Sequence, residues 1–196
     1  MRFAIAFLSV LSLCVFYPAA ASGDMAQQQK KLGGPFLAED HELKFLPPYC
    51  RYCAAVNRDR YRHEKEKWDR ILHLKGRPIG LHHYCYGLIM LHRFKVGDGE
   101  PSALLARAEG ELEYALTHST PSTNVLYHEV LLNMGMTQQF MGKRYMALKY
   151  FIDAIKVKKN YTKAYYYIVN LFQMAGDVNS ALKYAKLGLK YTPDSK

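Results

Sequence analysis

The fold is decided by the stretch GKRYMALKYFIDAI at residues 142–155, which returns as GDVNSALKYAKLGL at residues 176–189. The two stretches lie 34 residues apart, and each opens on a glycine and carries the letters ALKY five residues later. The likeness extends over residues 128–161 and 162–195, where apolar residues recur at helical spacing. A repeat of this length, built from two helices joined at a glycine turn, predicts a stack of helix pairs.

The period, the turn glycine and the small residues at fixed places resemble the tetratricopeptide repeat. In that family the small residues let the second helix of each pair lie close to the first. The chain departs from the family pattern at Val169, which replaces a glycine, and at Lys159, which replaces a closing proline that Pro193 supplies in the last copy. The resemblance implies an all-α fold, and the small residues that carry it are Gly135, Ala147, Ala154, Ala181 and Gly188.

An earlier and degenerate copy of the repeat covers residues 80–121. Its first helix, LHHYCYGLIMLHRF at residues 81–94, has Gly87 where the family has its helix glycine, and its second has Ala108 and Ala115 seven residues apart. The loop KVGDGEPS between the two helices is longer than the usual turn, which indicates an insertion. Three helix pairs are about the minimum for a stable stack. We therefore predict an all-α protein, a short α-solenoid of about three tetratricopeptide-like helix pairs.

The N-terminal residues have the pattern of a secretory signal peptide. Arg2 precedes an apolar run at residues 3–16, and the alanines at 19–21 supply the small residues that cleavage requires. We predict cleavage after Ala21, with Ser22 as the alternative position, and an exported protein, periplasmic or extracellular, from a bacterium. The apolar run is too short for a comfortable membrane span, and no other segment predicts one in the mature chain.

Two further segments separate the signal peptide from the repeats. Residues 22–50 are polar with glycine and proline pairs, which indicates an extended arm. From residue 51 the pattern becomes helical around Trp68 and ends at Gly76 and Pro78, which predicts a capping helix. The predicted division is 1–21 signal peptide, 22–50 arm, 51–79 capping helix region, 80–121 first helix pair, 122–161 second pair and 162–196 third pair.

Two short segments point to a narrower group. LPPYC at residues 46–50, followed by HHYCYGL at 82–88 and then by the basic residue Arg93, is similar to a group of exported bacterial tetratricopeptide repeat proteins. The resemblance covers about residues 46–195. It implies a location outside the cytoplasm and the repeat fold, and it implies no specific biochemical role.

Three cysteines remain after signal cleavage, and more than one arrangement suits them. A disulfide from the arm to Cys85 is favoured in an oxidising compartment, with Cys50 preferred over Cys53 as its partner. The alternative is a zinc site in which His82 joins the three cysteines, and a third possibility is that neither forms. Covalent haem attachment is not predicted, because Ala54 stands where that motif needs a histidine.

The composition favours binding over catalysis. The chain has a formal charge of +10, which favours anionic partners. Its sixteen tyrosines suit binding surfaces and also filled helix interfaces. No G-x-S-x-G, H-E-x-x-H or phosphate-cradling glycine loop occurs. We therefore predict a non-enzymatic protein without a cofactor.

The first helices of stacked pairs line the concave side of such a solenoid. Carried over by repeat position, the residues there are aromatic, amphipathic and mildly polar, which suits an extended peptide or a helix of a partner protein. The family's carboxylate-gripping version needs a basic residue and asparagines at set positions, and only Asn170 fits, so capture of a C-terminal carboxylate is not predicted. The predicted groove residues are Tyr84, Leu88, His92, Glu129, Leu132, Met136, Gln139, Lys163, Tyr166, Asn170 and Gln173.

An anionic polymer or surface is the alternative partner. Basic stretches at residues 58–62, 143–144 and 156–159 suit an acidic polysaccharide, whereas nucleic acid is not favoured. The preferred hypothesis is a protein-binding adaptor, within an envelope, secretion or polymer-export assembly. Metal carriage is a third and minor hypothesis.

Overall fold

The computed structural model describes residues 37–55, 58–72 and 80–192 of the chain. Several predicted features lie outside these ranges: the signal peptide at 1–21, the first part of the arm, the helix stop at Gly76 and Pro78, and the closing Pro193. Within the described ranges the chain is helical, with a single isolated bridge between Ala38 and Ala55 as its only strand-like pairing.

Six long helices form the body of the molecule, and three short ones precede them. Numbered in chain order within the described residues, they are α1 Arg51–Ala54, α2 Arg58–Tyr61, α3 Lys65–Ile71, α4 Leu81–Val96, α5 Pro101–Thr117, α6 Tyr127–Phe140, α7 Arg144–Val157, α8 Thr162–Met174 and α9 Val178–Tyr191.

The long helices pack as three successive pairs. Helix α4 packs on α5, α6 on α7 and α8 on α9, and contacts of α5 with α6 and of α7 with α8 join the pairs into one stack. The turns of the second and third pairs are built alike, because Gly142 and Gly176 adopt left-handed conformations with φ of 76° and 74°. The prediction of an all-α solenoid of tetratricopeptide-like helix pairs is confirmed.

The segment expected to be an extended arm is compact over its described part. Residues 37–50 contain two 3-10 turns, Leu43–Phe45 and Pro48–Cys50. The side chains of Leu43, Leu46 and Tyr49 are buried against the first helix pair. The sequence did not predict this packing, because the segment is polar and rich in proline and its few apolar residues follow no helical or strand period.

The predicted capping helix region is also broken into shorter pieces. Helices α1 and α2 are each one turn long, and a 3-10 turn at Arg62–Glu64 precedes α3. Trp68 on α3 lies edge-on against Tyr49, with 6.0 Å between ring centroids. The region therefore covers the start of the stack as several short turns.

Three glycines mark places where helices approach closely. A Cβ added at Gly135 would lie 2.4 Å from Cε1 of Phe151, and one added at Gly87 would lie 2.8 Å from Cγ of Leu112. A Cβ at Gly188 would lie 3.1 Å from Cγ of Tyr165. In the first two helix pairs this glycine lies on the N-terminal helix of the pair, and in the third pair it lies on the C-terminal helix.

We expect Gly135→Ala to destabilise the protein by about 1–3 kcal/mol, because the added Cβ would lie 2.4 Å from the fully buried ring of Phe151 and the packed helices would have to shift. The control is Gly110→Ala in α5, where an added Cβ would meet nothing within 4 Å. There the better helix propensity of alanine should stabilise the fold by about 0.5–1 kcal/mol. Urea denaturation followed by circular dichroism measures both changes. Stabilisation by both substitutions would contradict the close approach of α6 and α7.

Candidate interaction groove

A groove of about 650 Å³ opens along the first helices of the three pairs, α4, α6 and α8. The arm contributes Phe45, Leu46 and Pro47 to one wall, which the sequence did not predict. The structure brings together eight of the predicted groove residues: Tyr84, Leu88, His92, Glu129, Leu132, Met136, Lys163 and Tyr166. The other three, Gln139, Asn170 and Gln173, do not line this cavity and lie toward the C-terminal ends of α6 and α8.

The floor of the groove is a hydrogen-bonded network around Glu129. The hydroxyls of Tyr49 and Tyr84 both donate to its Oε2, at 3.2 and 3.3 Å. The amide of Asn133 donates to the Tyr84 hydroxyl at 3.1 Å. Burial raises the pKa of Tyr49 and of Tyr84, and the Glu129 carboxylate raises both further. The two hydroxyls therefore remain protonated donors at neutral pH and hold Glu129 in place.

The rim of the groove presents aromatic rings to solvent. Phe45 is 59% exposed and stacks on His92 with 4.6 Å between ring centroids. Tyr166 on α8 is 61% exposed and lies edge-on against Tyr167. Burial lowers the pKa of His92, so its imidazole is neutral at neutral pH. The rim therefore offers apolar contact area at two separate places.

The charged side chains among the described lining residues of the groove have a positive balance, with two lysines and one glutamate. Lys95 and Lys163 are its lining lysines, and burial lowers the pKa of Lys95. Glu129 is the acidic residue among the described lining residues, and both tyrosine hydroxyls already bind its carboxylate. A ligand carboxylate near either lysine would be favoured.

A buried ion pair holds the arm wall of the groove in place. Arg93 on α4 donates from Nε to Oε1 of Glu42 and from a terminal nitrogen to Oε2, both at 2.8 Å. A terminal nitrogen of Arg93 also donates to the carbonyl of Leu37 at 3.1 Å. The motif resemblance pointed to Arg93 but gave no partner for it. The structure shows that this residue fixes the arm, and with it Phe45 and Leu46, against α4.

The cysteines lie directly behind the floor. A disulfide joins Cys50 to Cys85, whose Cα atoms are 5.5 Å apart, and this is the pair that the sequence favoured. The alternative zinc set is not assembled, because His82 is exposed and its ring lies against His83 and Tyr86. Within the described ranges, no group of three or more His, Cys, Asp or Glu residues is placed to hold a metal ion.

The basic stretches of the alternative hypothesis are partly neutralised by neighbouring carboxylates. Arg60 pairs with Asp40 at 3.2 Å, and Lys143 pairs with Glu109 at the same distance. Among the described side chains of these stretches, Arg62 also pairs with Asp59 at 2.5 Å and Lys156 with Asp153 at 2.8 Å. Their charge is therefore less available to an anionic polymer than the sequence indicates.

No helix in the described part of the chain has both the length and the apolar character to cross a bilayer.

Comparison with known proteins finds similarity to solved structures. No family model matches the sequence, and no curated protein matches it. The chain is similar to a solved structure described as the crystal structure of MamA, with 18% identity over 87% of this chain and 94% of that one and a TM-score of 0.46.

Proposed function

We propose that the protein is a non-enzymatic adaptor that acts outside the cytoplasm and binds a segment of a partner protein in the groove along α4, α6 and α8. The observation that carries the proposal is the combination of exposed aromatic rings at the rim with a fixed polar floor. Large amphipathic rings supply contact area at low entropic cost, and binding energy concentrates on such residues.

The floor favours an extended peptide over a helix. Only Oε2 of Glu129 receives the two tyrosine hydroxyls, and a carboxylate has capacity for further donors. An extended peptide presents free main-chain N–H groups to such an acceptor, whereas a helix uses its own N–H groups internally. We infer that Glu129 uses this remaining capacity to accept a main-chain amide of the partner.

The charges favour an acidic peptide with an apolar anchor. Lys95 and Lys163 line the groove, and the chain as a whole carries +10. A partner carboxylate beside Lys95 would offset the desolvation that lowers the pKa of that lysine. Aliphatic or aromatic side chains of the partner would pack on Phe45 and on Tyr166, two exposed rings at separate places on the rim.

The proposed compartment is supported by two observations of different kinds. The N-terminal sequence has the pattern of a signal peptide, and the disulfide between Cys50 and Cys85 suits an oxidising environment. An envelope, secretion or polymer-export assembly is the setting that we propose for the adaptor.

Photocrosslinking inside the cell tests the groove. A photoreactive residue replaces Tyr166 at the rim, and the control replaces Lys183 on α9, which does not line the cavity. We expect a discrete protein adduct at the first position only, and the crosslinked segment should contain acidic and apolar residues. A synthetic copy of that segment should lose about tenfold or more in affinity for Tyr166→Ala and keep its affinity for Lys183→Ala.

The same experiment identifies the competing mode of binding. Equal adducts at both positions, or smeared adducts of polysaccharide size, would reject the groove and favour an anionic polymer. Binding of a polymer through several lysines should weaken steeply between about 50 and 200 mM salt. Binding of the partly apolar peptide should change little over that range.

A further inference from the structure

Three sulfur atoms meet behind the floor of the groove. The disulfide joins Cys50 and Cys85, both fully buried, and Sγ of Cys53 lies 3.6 Å from Sγ of Cys85. Cys50 is the residue that precedes α1 and has a helical conformation, and Cys53 lies one turn beyond it, so both sulfurs lie on the same side. Cys53 is also partly exposed, unlike the other two. The chain thus holds a reduced thiol against a disulfide, and it is the thiol that solvent reaches.

We propose that Cys53 exchanges with Cys50 as the disulfide partner of Cys85. The Cys53 thiol gives its proton to solvent, and the thiolate attacks Sγ of Cys85. The bond between Cys53 and Cys85 forms as the bond between Cys50 and Cys85 breaks, and the electron pair leaves on Sγ of Cys50, which takes up a proton. The number of thiols and disulfides is unchanged, so the step needs no oxidant or reductant.

The geometry places the attacking atom next to its target. The distance of 3.6 Å between the two sulfurs must shorten by roughly 1.6 Å to reach a disulfide bond length. Sγ of Cys53 also lies 3.6 Å from the carbonyl oxygen of Cys50 and 3.8 Å from that of Tyr49. These contacts hold the sulfur on the inner side of α1, facing the disulfide.

Exchange has a consequence for the groove, and this consequence, unlike the exchange itself, rests on the proposed function. Cys50 directly follows Tyr49, and Cys85 directly follows Tyr84, the two tyrosines that hold Glu129. With the bond between Cys50 and Cys85, both tyrosines are fixed beside the cross-link. With the bond moved to Cys53, the cross-link lies four residues from Tyr49 and no longer next to it, so the floor loses a constraint.

Disulfide mapping of the wild-type protein tests the exchange. The folded protein is held at several pH values without reductant, quenched in acid, alkylated in acidic denaturant and digested. We expect two populations, one with alkylated Cys53 and one with alkylated Cys50 and a Cys53–Cys85 peptide. Approach to their equilibrium should accelerate about tenfold per pH unit below the thiol pKa, since the thiolate is the nucleophile. Finding all of the label on Cys53 at every pH, or a Cys50–Cys53 peptide instead, would overturn the proposal.

Two locked variants keep the test decisive and separate it from groove binding. Cys50→Ala should form the Cys53–Cys85 bond in a glutathione redox buffer, and Cys53→Ala should keep the Cys50–Cys85 bond, with circular dichroism checking that each is folded. Two titratable thiols in folded Cys50→Ala would also overturn the exchange. The crosslinked peptide should bind the Cys50→Ala form more weakly. Equal binding to the two locked forms would show that the exchange does not regulate the groove. No binding to any form would contradict the proposed groove function. Neither outcome contradicts the exchange itself.

Discussion

Replacing Arg93 with methionine should lower the free energy of unfolding by about 3–5 kcal/mol, the usual cost of leaving one partner of a buried ion pair alone. The side chains of Arg93 and Glu42 are only 6% and 4% exposed. The substitution would leave the Glu42 carboxylate without its two strongest donors and the Leu37 carbonyl without its guanidinium donor. Urea denaturation at neutral pH measures the loss.

An exposed pair from the same segment is the matched control. Arg60 bonds to Asp40 at 3.2 Å, but these side chains are 63% and 57% exposed, so water and salt screen the interaction. Arg60→Met should therefore change stability by less than about 1 kcal/mol. Replacing both Arg93 and Glu42 by apolar residues should recover much of the loss, because no unpaired charge then remains. Equal effects of Arg93→Met and Arg60→Met would show that the pair does not anchor the arm.

The ion pair of Arg93 and Glu42 also makes the stability of the fold depend on pH. Desolvation alone would raise the pKa of Glu42, but the hydrogen bonds from Arg93 and from the main-chain N–H of Glu39, with the Arg93 charge, outweigh it and lower the pKa. The stabilisation is therefore present above the unfolded carboxyl pKa of about 4.3 and is lost as the pH falls through the lower folded value. Glu42→Gln should flatten that part of the stability profile.

The fold was predictable because its signals are local. The 34-residue period, the turn glycines Gly142 and Gly176, and the small residue at Gly135 each report on a helix or a turn within one repeat. The arm was not predictable in this way. Its packing depends on the contact between Glu42 and Arg93, which are 51 residues apart, and no local pattern encodes such a pairing.

The groove residues within the repeats were likewise predictable from local sequence, whereas those from the arm were not. Residues such as Tyr84, Glu129 and Tyr166 were found because repeat position places them on the first helices. Phe45 was missed as a groove residue because it enters from outside the repeats. Repeat position also named Gln173, which does not line the cavity, since repeat position describes a helix face along its whole length and not where a cavity ends.

Cys85→Ala should destabilise the protein by about 3–4 kcal/mol under oxidising conditions, whereas Cys50→Ala should cost far less. Cys85 is the one partner common to both cross-links, so its loss removes the constraint on the unfolded chain, and closing a loop of 35 residues contributes that amount. Without Cys50, Cys53 closes a loop of 32 residues onto the same sulfur. Since the entropy of closure changes only with the logarithm of loop length, nearly the whole constraint remains.

Denaturation with and without reductant isolates this effect from cavity formation. In dithiothreitol all variants lose the cross-link, so the differences that persist there measure the cost of the alanines themselves. The oxidised-minus-reduced stability should be near zero for Cys85→Ala and similar for wild type, Cys50→Ala and Cys53→Ala. A near-zero value for Cys50→Ala would mean that Cys53 does not reach Cys85. In that case the nearby thiol would be a packed neighbour of the disulfide, and Tyr49 would stay fixed in every state of the folded protein.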